Sequence, residues 1–279
     1  MAPSESTKRR AAVLGSPIRH SLSPTLHCAA YTALGLTGWC YDAVNCDETA
    51  LPTFVDQLGP EWVGLSLTMP LKRVALSVAD EVSALASAVG AANTLVLGPP
   101  GKPRRADNTD VAGLLAALRE AGVGQVRAGV ILGAGGTAQA ALAALRELGE
   151  LAPTVVVREP ARTTDLLATA ERLGVQPRIF RGLPEVELPN ADVVISTLPP
   201  GAADAVCGRP WVCRPVVLDV VYTPWPTPLA SSALAAGCQV VSGLAVLLYQ
   251  AAAQVELMTG RRAPTAQMRA ALDAAVRSR

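Results

Sequence analysis

The chain has 279 residues, half of them apolar and 4% aromatic, with 24 Lys and Arg against 23 Asp and Glu. So even a charge balance excludes the broad basic field that nucleic-acid binding needs. No apolar run is long enough to span a bilayer, and none follows Lys8, Arg9 and Arg10 as a signal peptide would require.

The length is near the point where one core divides into two domains. Its six cysteines (Cys28, Cys40, Cys46, Cys207, Cys213, Cys238) form no Cys-x-x-Cys pair, and the histidines are only His20 and His27. We therefore expect no metal site, reduced thiols and a cytoplasmic protein without membrane contact.

In chain order, Ala11 to Leu14 reads as a strand closed by Gly15-Ser-Pro-Ile-Arg-His-Ser-Leu-Ser-Pro24. Ser23-Pro24 predicts a helix start, a capping hydroxyl followed by proline, running to about Leu34. Trp39 to Cys46 is a second strand, and Asp47 opens a helix ending near Gly59. Val63 to Met69 is a third strand; two short helical pieces follow up to Val89. Asn93 to Leu97, a Gly/Pro turn, and Arg105 onward predict a hairpin or crossover.

Thr109 to Ala121 has helical apolar spacing and would link two domains. Strands at 129–133, 154–157, 178–180, 191–196, 215–219 and 239–241 then alternate with helices at 137–148, 161–173 and 228–236. Two alanine-rich helices, 243–258 and 265–277, close the chain; lacking strand partners, they should return to the first domain.

Val130-Ile-Leu132 followed by Gly133-Ala-Gly-Gly-Thr137 and a helix is the strand–turn–helix of a dinucleotide-binding fold. Glycines there let a pyrophosphate approach backbone N–H groups at the positive helix end. Gly133, Ala134, Gly135, Gly136 and Thr137 are the candidate cofactor residues. About twenty residues on, Arg158 and Arg162 favour the 2′-phosphate of NADP, although Glu159 between them would suit the ribose hydroxyls of NAD.

Lys72 follows the third strand, and Asp107-Asn-Thr-Asp110 precedes the linker helix. Alone, the first reads as a solvated amine and the second as a capping turn, with Asn108 or Thr109 as cap. Together they would place an amine and a carboxylate at strand ends facing a cleft.

Gly-Ser-Pro-Ile-Arg-His-Ser-Leu-Ser-Pro (15–24), Ser-Leu-Thr-Met-Pro-Leu-Lys (66–72), Gly-Ala-Ala-Asn-Thr (90–94) and Asp-Asn-Thr-Asp (107–110) resemble the shikimate dehydrogenase family. So do Gly-Ala-Gly-Gly (133–136), Asp-Val-Val-Tyr (219–222) and Gly-Leu-Ala-Val-Leu-Leu-Tyr-Gln (243–250), in the family's order. The resemblance implies reversible NADPH-linked reduction of 3-dehydroshikimate to shikimate, a step of aromatic amino-acid biosynthesis. By similarity, Ser21 and Ser23 would bind the substrate carboxylate, and Thr68, Asn93 and Asp107 the ring hydroxyls. Tyr222 and Gln250 would complete the pocket, Val220 and Gly243 would lie near the nicotinamide, and Lys72 with Asp107 would form the catalytic pair. In such a pair desolvation lowers the lysine pKa while the carboxylate raises it.

Ser66 stands where the family often has Asn, and Val157-Arg-Glu-Pro-Ala-Arg162 keeps both arginines but loses the usual Asn and Thr. We therefore expect an α/β protein of two domains. Residues 1–105, with 243–279 packing back, would bind substrate, and 106–242 would be a Rossmann-type NADP domain. The oligomeric state would be monomer or homodimer. Rival readings are an NAD-using quinate/shikimate dehydrogenase, a methylenetetrahydrofolate dehydrogenase, a non-catalytic sensor, and a bare dinucleotide-binding scaffold.

Overall fold

The computed structural model describes residues 8–99, 101–182, 191–204, 207 and 210–278. The chain divides into two compact units: residues 1–109 with 248–279, and residues 110–247. Each unit is built on its own six-stranded sheet with helices, an α/β architecture.

In the first unit the strands are β1 (Arg9–Gly15), β2 (Trp39–Asn45), β3 (Trp62–Leu67), β4 (Glu81–Val82), β5 (Thr94–Val96) and β6 (Arg105–Asp107), in the order β2-β1-β3-β5-β6-β4. β2, β1 and β3 run parallel, and β5 is antiparallel to both β3 and β6. β3 is buried along its whole length, as a central strand should be. Leu14, Leu65, Leu67 and Leu95 build the core with Leu51 and Leu71.

The helices of this unit are α1 (Ser23–Ala33), α2 (Leu51–Asp56) and α3 (Ala84–Val89). The predicted helix from Asp47 is shorter than expected. Asp47 Oδ1 instead accepts from Thr49 N, Thr49 Oγ1 and Ala50 N, forming a turn before α2 starts. Ser23 is not a cap: Leu22 holds that position with no side-chain cap, and Ser23 is the first helical residue. The Ser21 N–H bonds the Ile18 carbonyl, so the preceding turn brings the chain into the helix one residue early. β4, two residues pairing with β6, has too few positions to show a period and was not predicted.

In the second unit all pairings are parallel. β7 (Gly129–Leu132), β8 (Thr154–Val157), β9 (Arg178–Arg181), β10 (Val193–Ser196), β11 (Val216–Asp219) and β12 (Gln239–Ser242) lie in the order β12-β11-β10-β7-β8-β9. The chain winds outward from β7 to β9, returns to β10 and winds the other way. The switch point is therefore between β7 and β10, where such sheets bind ligands at the carboxyl ends of their strands.

α4 (Asp110–Glu120) packs on α5 (Gly136–Glu147), and α5 packs on α6 (Thr164–Leu173) and β7. The helix expected at 161–173 splits into a 3-10 turn from Pro160 and then α6. α7 (Pro228–Ala235) precedes β12.

α8 (Gly243–Thr259) begins in the second unit and continues in the first, so its first five residues fall in 110–247. α9 (Thr265–Arg277) packs against α1. Among the described residues no helix is long and apolar enough to cross a membrane.

Candidate active site

In the first unit, strand direction collects the candidate residues. Gly15 ends β1 and Leu67 ends β3. β5 runs against β3, so its start lies beside β3's end, with Thr94 opposite Ser66; β6 ends there too, with Asp107 opposite Thr94. Ser21, Ser23, Thr68, Lys72, Asn93 and Asp107 therefore all leave one edge of one sheet.

Backbone hydrogen bonds tighten that edge. The Ala92 N–H bonds the Lys72 carbonyl at 2.7 Å, and the next residue, Asn93, donates its N–H to the Asp107 carbonyl at 3.1 Å. Adjacent residues of one segment thus hold Lys72 on one side and Asp107 on the other. Thr68 N donates to Leu14 O, and the Ser16 N–H to Met69 O. Any Cβ at Gly15 would strike Thr68 Cγ2 and the Met69 carbonyl, so only glycine lets the two loops approach this closely.

Each side chain is then aimed. Ser21 Oγ accepts from Ser23 N at 3.2 Å, and Ser23 is buried at the start of α1. Asp107 Oδ1 accepts from Ser83 Oγ at 2.9 Å and Asn108 N at 2.8 Å, while Oδ2 pairs with Arg105 at 3.3 Å. Thr109 is bonded to Asn93: its N–H donates to Asn93 Oδ1 at 2.7 Å, and its hydroxyl meets Asn93 Nδ2 at 2.9 Å. Asn93 is 2% exposed and turns Nδ2 toward Gln250 Oε1, 3.4 Å away on α8. Lys72 is half-buried.

In the second unit, Gly133 follows β7 with φ +108, and a Cβ there would press on Thr197 Oγ1, just after β10 across the switch point. Thr197 Oγ1 itself bonds the Leu132 carbonyl at 2.8 Å. Ala134 follows in the turn, Gly135 occupies the N-cap of α5 with no side-chain cap, and Gly136 and Thr137 open its first turn. A Cβ on Gly135 or Gly136 would meet nothing within 4 Å. The α5 terminus therefore presents bare backbone to open space, as an anion-binding helix end requires.

Arg158 and Glu159 follow β8 and are exposed. Arg162 falls in the 3-10 turn; its side chain lies outside the described residues.

Val220 follows β11 and donates its N–H to the Ser196 carbonyl at 3.0 Å. Gly243 opens α8 so near that a Cβ would overlap the Val220 carbonyl. Tyr222 is half-buried in the loop after β11. Asp219 closes that loop, accepting from Val221 N at 3.2 Å and Thr227 Oγ1 at 2.7 Å. Burial pushes the Asp219 carboxyl above its ordinary range, while those two donors pull it down.

Sequence reading missed Ser83, Thr109 and Gln254 as builders of the site. Gln254 had a signal: it lies four residues after Gln250, on the same helix face, within an alanine run. Ser83 had none, because only strand pairing brings it to Asp107. Among the described residues no cluster of His, Cys, Asp and Glu could hold a metal.

Two family models match the chain: the shikimate dehydrogenase substrate binding domain over residues 13–95, and the shikimate 5′-dehydrogenase C-terminal domain over 243–272. A shikimate dehydrogenase (NADP(+)) from Moorella thermoacetica is 36% identical over 270 residues, 92% of this chain and 90% of that protein. The crystal structure of Mycobacterium tuberculosis shikimate dehydrogenase aligns with a TM-score of 0.84 at 46% identity, covering 96% of this chain and 99% of the other. Shikimate 5-dehydrogenase from Thermus thermophilus, in complex with NADP(H) and shikimate, aligns with a TM-score of 0.82 at 33% identity, covering 96% and 99%.

Proposed function

This chain belongs to the shikimate dehydrogenase family, and we propose that it reversibly reduces 3-dehydroshikimate to shikimate with NADPH. The observation that carries this reading is the edge of the first sheet. There Lys72 and Asp107 are held on either side of Ala92–Asn93, among hydroxyls and carboxamides suited to a polyhydroxylated acid. Unit 110–247 is read as the cofactor domain, and the other unit as the substrate domain.

Ser21 and Ser23 would take the substrate carboxylate, aided by the positive end of α1. Thr68, Asn93, Asp107 and Gln250 would take the ring hydroxyls, and Tyr222 is read as a further substrate residue. The bare glycine turn at α5 fits a pyrophosphate, and Arg158 and Arg162 would hold the 2′-phosphate. Gly243 and Val220 would pack beside the nicotinamide. NADPH, when bound, supplies the hydride.

Lys72 does the proton work. Its ammonium donates to the oxygen that becomes a hydroxyl, and in the oxidative direction its amine takes that proton back. Asp107, with its rotamer held by Ser83 and Asn108 N, orients the substrate against Lys72. A cytoplasmic setting is read from the six cysteines, too few and too unpatterned for a disulfide framework in a chain of this size.

Nicotinamide absorbance tests the reading directly. Shikimate with NADP should give fast reduction, and quinate or NAD little. No turnover with any pairing would overturn it. Glu159, exposed beside Arg158, favours a second reading in which NAD is also used; comparable rates with both cofactors would establish that one.

A further inference from the structure

Beneath the substrate-facing side chains, α8 carries a second carboxamide with no substrate role. Gln254 lies one turn beyond Gln250 and is 1% exposed. A buried amide lacking partners is destabilising, and here each end is matched. Nε2 donates to the Asn93 carbonyl and to Thr94 Oγ1, both at 3.0 Å. Oε1 accepts from Ser66 Oγ at 2.7 Å and faces His27 Nε2 at 3.4 Å.

These bonds have a forced direction. The Asn93 carbonyl can only accept, so the Gln254 nitrogen must point to it and the oxygen to Ser66. Ser66 has one proton, given to Gln254, so Tyr41 must donate its hydroxyl proton to Ser66, at 2.6 Å. His27 must present Nε2–H to the amide oxygen. Burial keeps its ring neutral by pushing its pKa down to about 3, and it stacks on Tyr41 at 3.9 Å. A directed chain thus runs from β2 through β3 and α8 to the start of β5.

The chain ends on the residue that matters. The Asn93 carbonyl receives two donors, Leu67 N at 2.7 Å from β3 and Gln254 from α8. The Asn93 side chain in turn meets Gln250 at 3.4 Å, close to the limit of a hydrogen bond. A shift of a few tenths of an ångström between β5 and α8 would part them. Gln254, with its two 3.0 Å bonds, ties the start of β5 to α8 more closely than the Asn93–Gln250 contact does.

We propose that Gln254 and Ser66 form a positioning pair that sets the spacing of Asn93 and Gln250, and through it the affinity for the cyclic polyol substrate. This rests on the reading of Asn93 and Gln250 as substrate ligands. Gln254 and Ser66 are both buried and bonded to each other, so they act through the two carboxamides.

The test uses Gln254→Leu, which keeps bulk and removes the amide, and Ser66→Ala, which removes one hydroxyl. Initial rates are measured against shikimate and NADP, and NADPH affinity by fluorescence titration. Loss of positioning should raise the shikimate KM about tenfold in Gln254→Leu and about threefold in Ser66→Ala, in line with one to two lost hydrogen bonds. NADPH affinity and kcat should stay near the parent's.

An unchanged shikimate KM in folded protein, or shikimate KM and NADPH affinity worsening together, would overturn the proposal. Should Gln254→Leu fail to fold, Ser66→Ala decides alone. A parent that does not oxidise shikimate would end the functional reading instead. Crystal structures of the ligand-free variants then still decide the positioning claim: it stands if Asn93 Nδ2 and Gln250 Oε1 have separated, and falls if they remain at 3.4 Å.

Discussion

The two units place their candidate sites at a matching address, the ends of a run of parallel strands, and build them from opposite materials. At the first sheet the candidate groups are side chains, mostly buried, among them Asn93, Asp107, Ser23 and Gln250, with Asn93 and Asp107 each aimed by two or more hydrogen bonds. At the second sheet the working group is backbone, exposed at Gly135 and Gly136 with no side chain over it. A small polyol is distinguished by where its hydroxyls point, which needs fixed donors and acceptors. A pyrophosphate is a charge, which a helix end and bare N–H groups satisfy. The first site should therefore fail by losing a group, and the second by gaining one.

The sharpest way to break the first site is Lys72→Ala. Removing the proposed proton-transfer group should cut turnover by about 10²–10⁴-fold in both directions, with NADPH titration unchanged because the second unit keeps its turn. Near-normal turnover would remove Lys72 from the mechanism.

For the second site the corresponding experiment adds a methyl. In Gly243→Ala the new Cβ meets the Val220 backbone carbonyl, which has no rotamer to retreat into. Overpacking of this kind costs about 1–3 kcal/mol. We expect a lower thermal midpoint and weaker NADPH binding, with ligand-free circular dichroism still that of a folded α/β protein. Unchanged NADPH affinity would separate Gly243 from the nicotinamide.

The same contrast explains what could be read without the structure. Gly133 was legible because its requirement is local: a φ of +108 between a strand and a helix leaves glycine as the usual solution. The alternation of strands and helices was legible for the same reason. Lys72 and Asp107 were named, but what ties their backbones to one segment, Ala92 and Asn93 just before the antiparallel β5, appears only in the fold.

Tyr41, Ser66 and Gln254 come from three distant stretches and read singly as ordinary core or helix positions. Ser23 was misread because Ser-Pro fits a cap, while the turn from Ile18 to Ser21 had already entered the helix.

A milder test of the second site is Arg158→Ala. A charge-assisted contact to phosphate contributes about 1.5–3 kcal/mol when well shielded; Arg158 is exposed, so solvent screening leaves the lower end. The KM for NADP should rise about tenfold while that for NAD hardly moves. Equal effects on both would mean that Arg158 holds something other than the 2′-phosphate, and Glu159→Ala would then be the variant to compare.

The smallest effect sharpens the comparison through acid, because His27 in the first unit and Asp219 in the second are buried titratable groups of opposite kind. His27 in the first is held neutral, its pKa down to about 3 from an ordinary 6.5 by burial. Between those values the unfolded chain binds a proton that the folded chain refuses. Stability from His27 is therefore fully present above pH 6.5 and lost as the pH falls below it. Asp219 in the second unit is raised by burial, so the folded state binds a proton more readily and its share of stability grows as the pH falls.

Going from pH 7.5 to 6, His27 alone should withdraw on the order of 1 kcal/mol, or about 2–4 °C in thermal midpoint. His27→Phe keeps the stack on Tyr41 and loses only the 3.4 Å contact with Gln254. Its midpoint should lie below the parent's at pH 7.5, yet drop less on acidification, since whatever Asp219 and the other carboxylates contribute is common to both proteins. Equal drops in variant and parent would mean that His27 takes up its proton inside the folded core, with Gln254 Oε1 accepting from a charged ring.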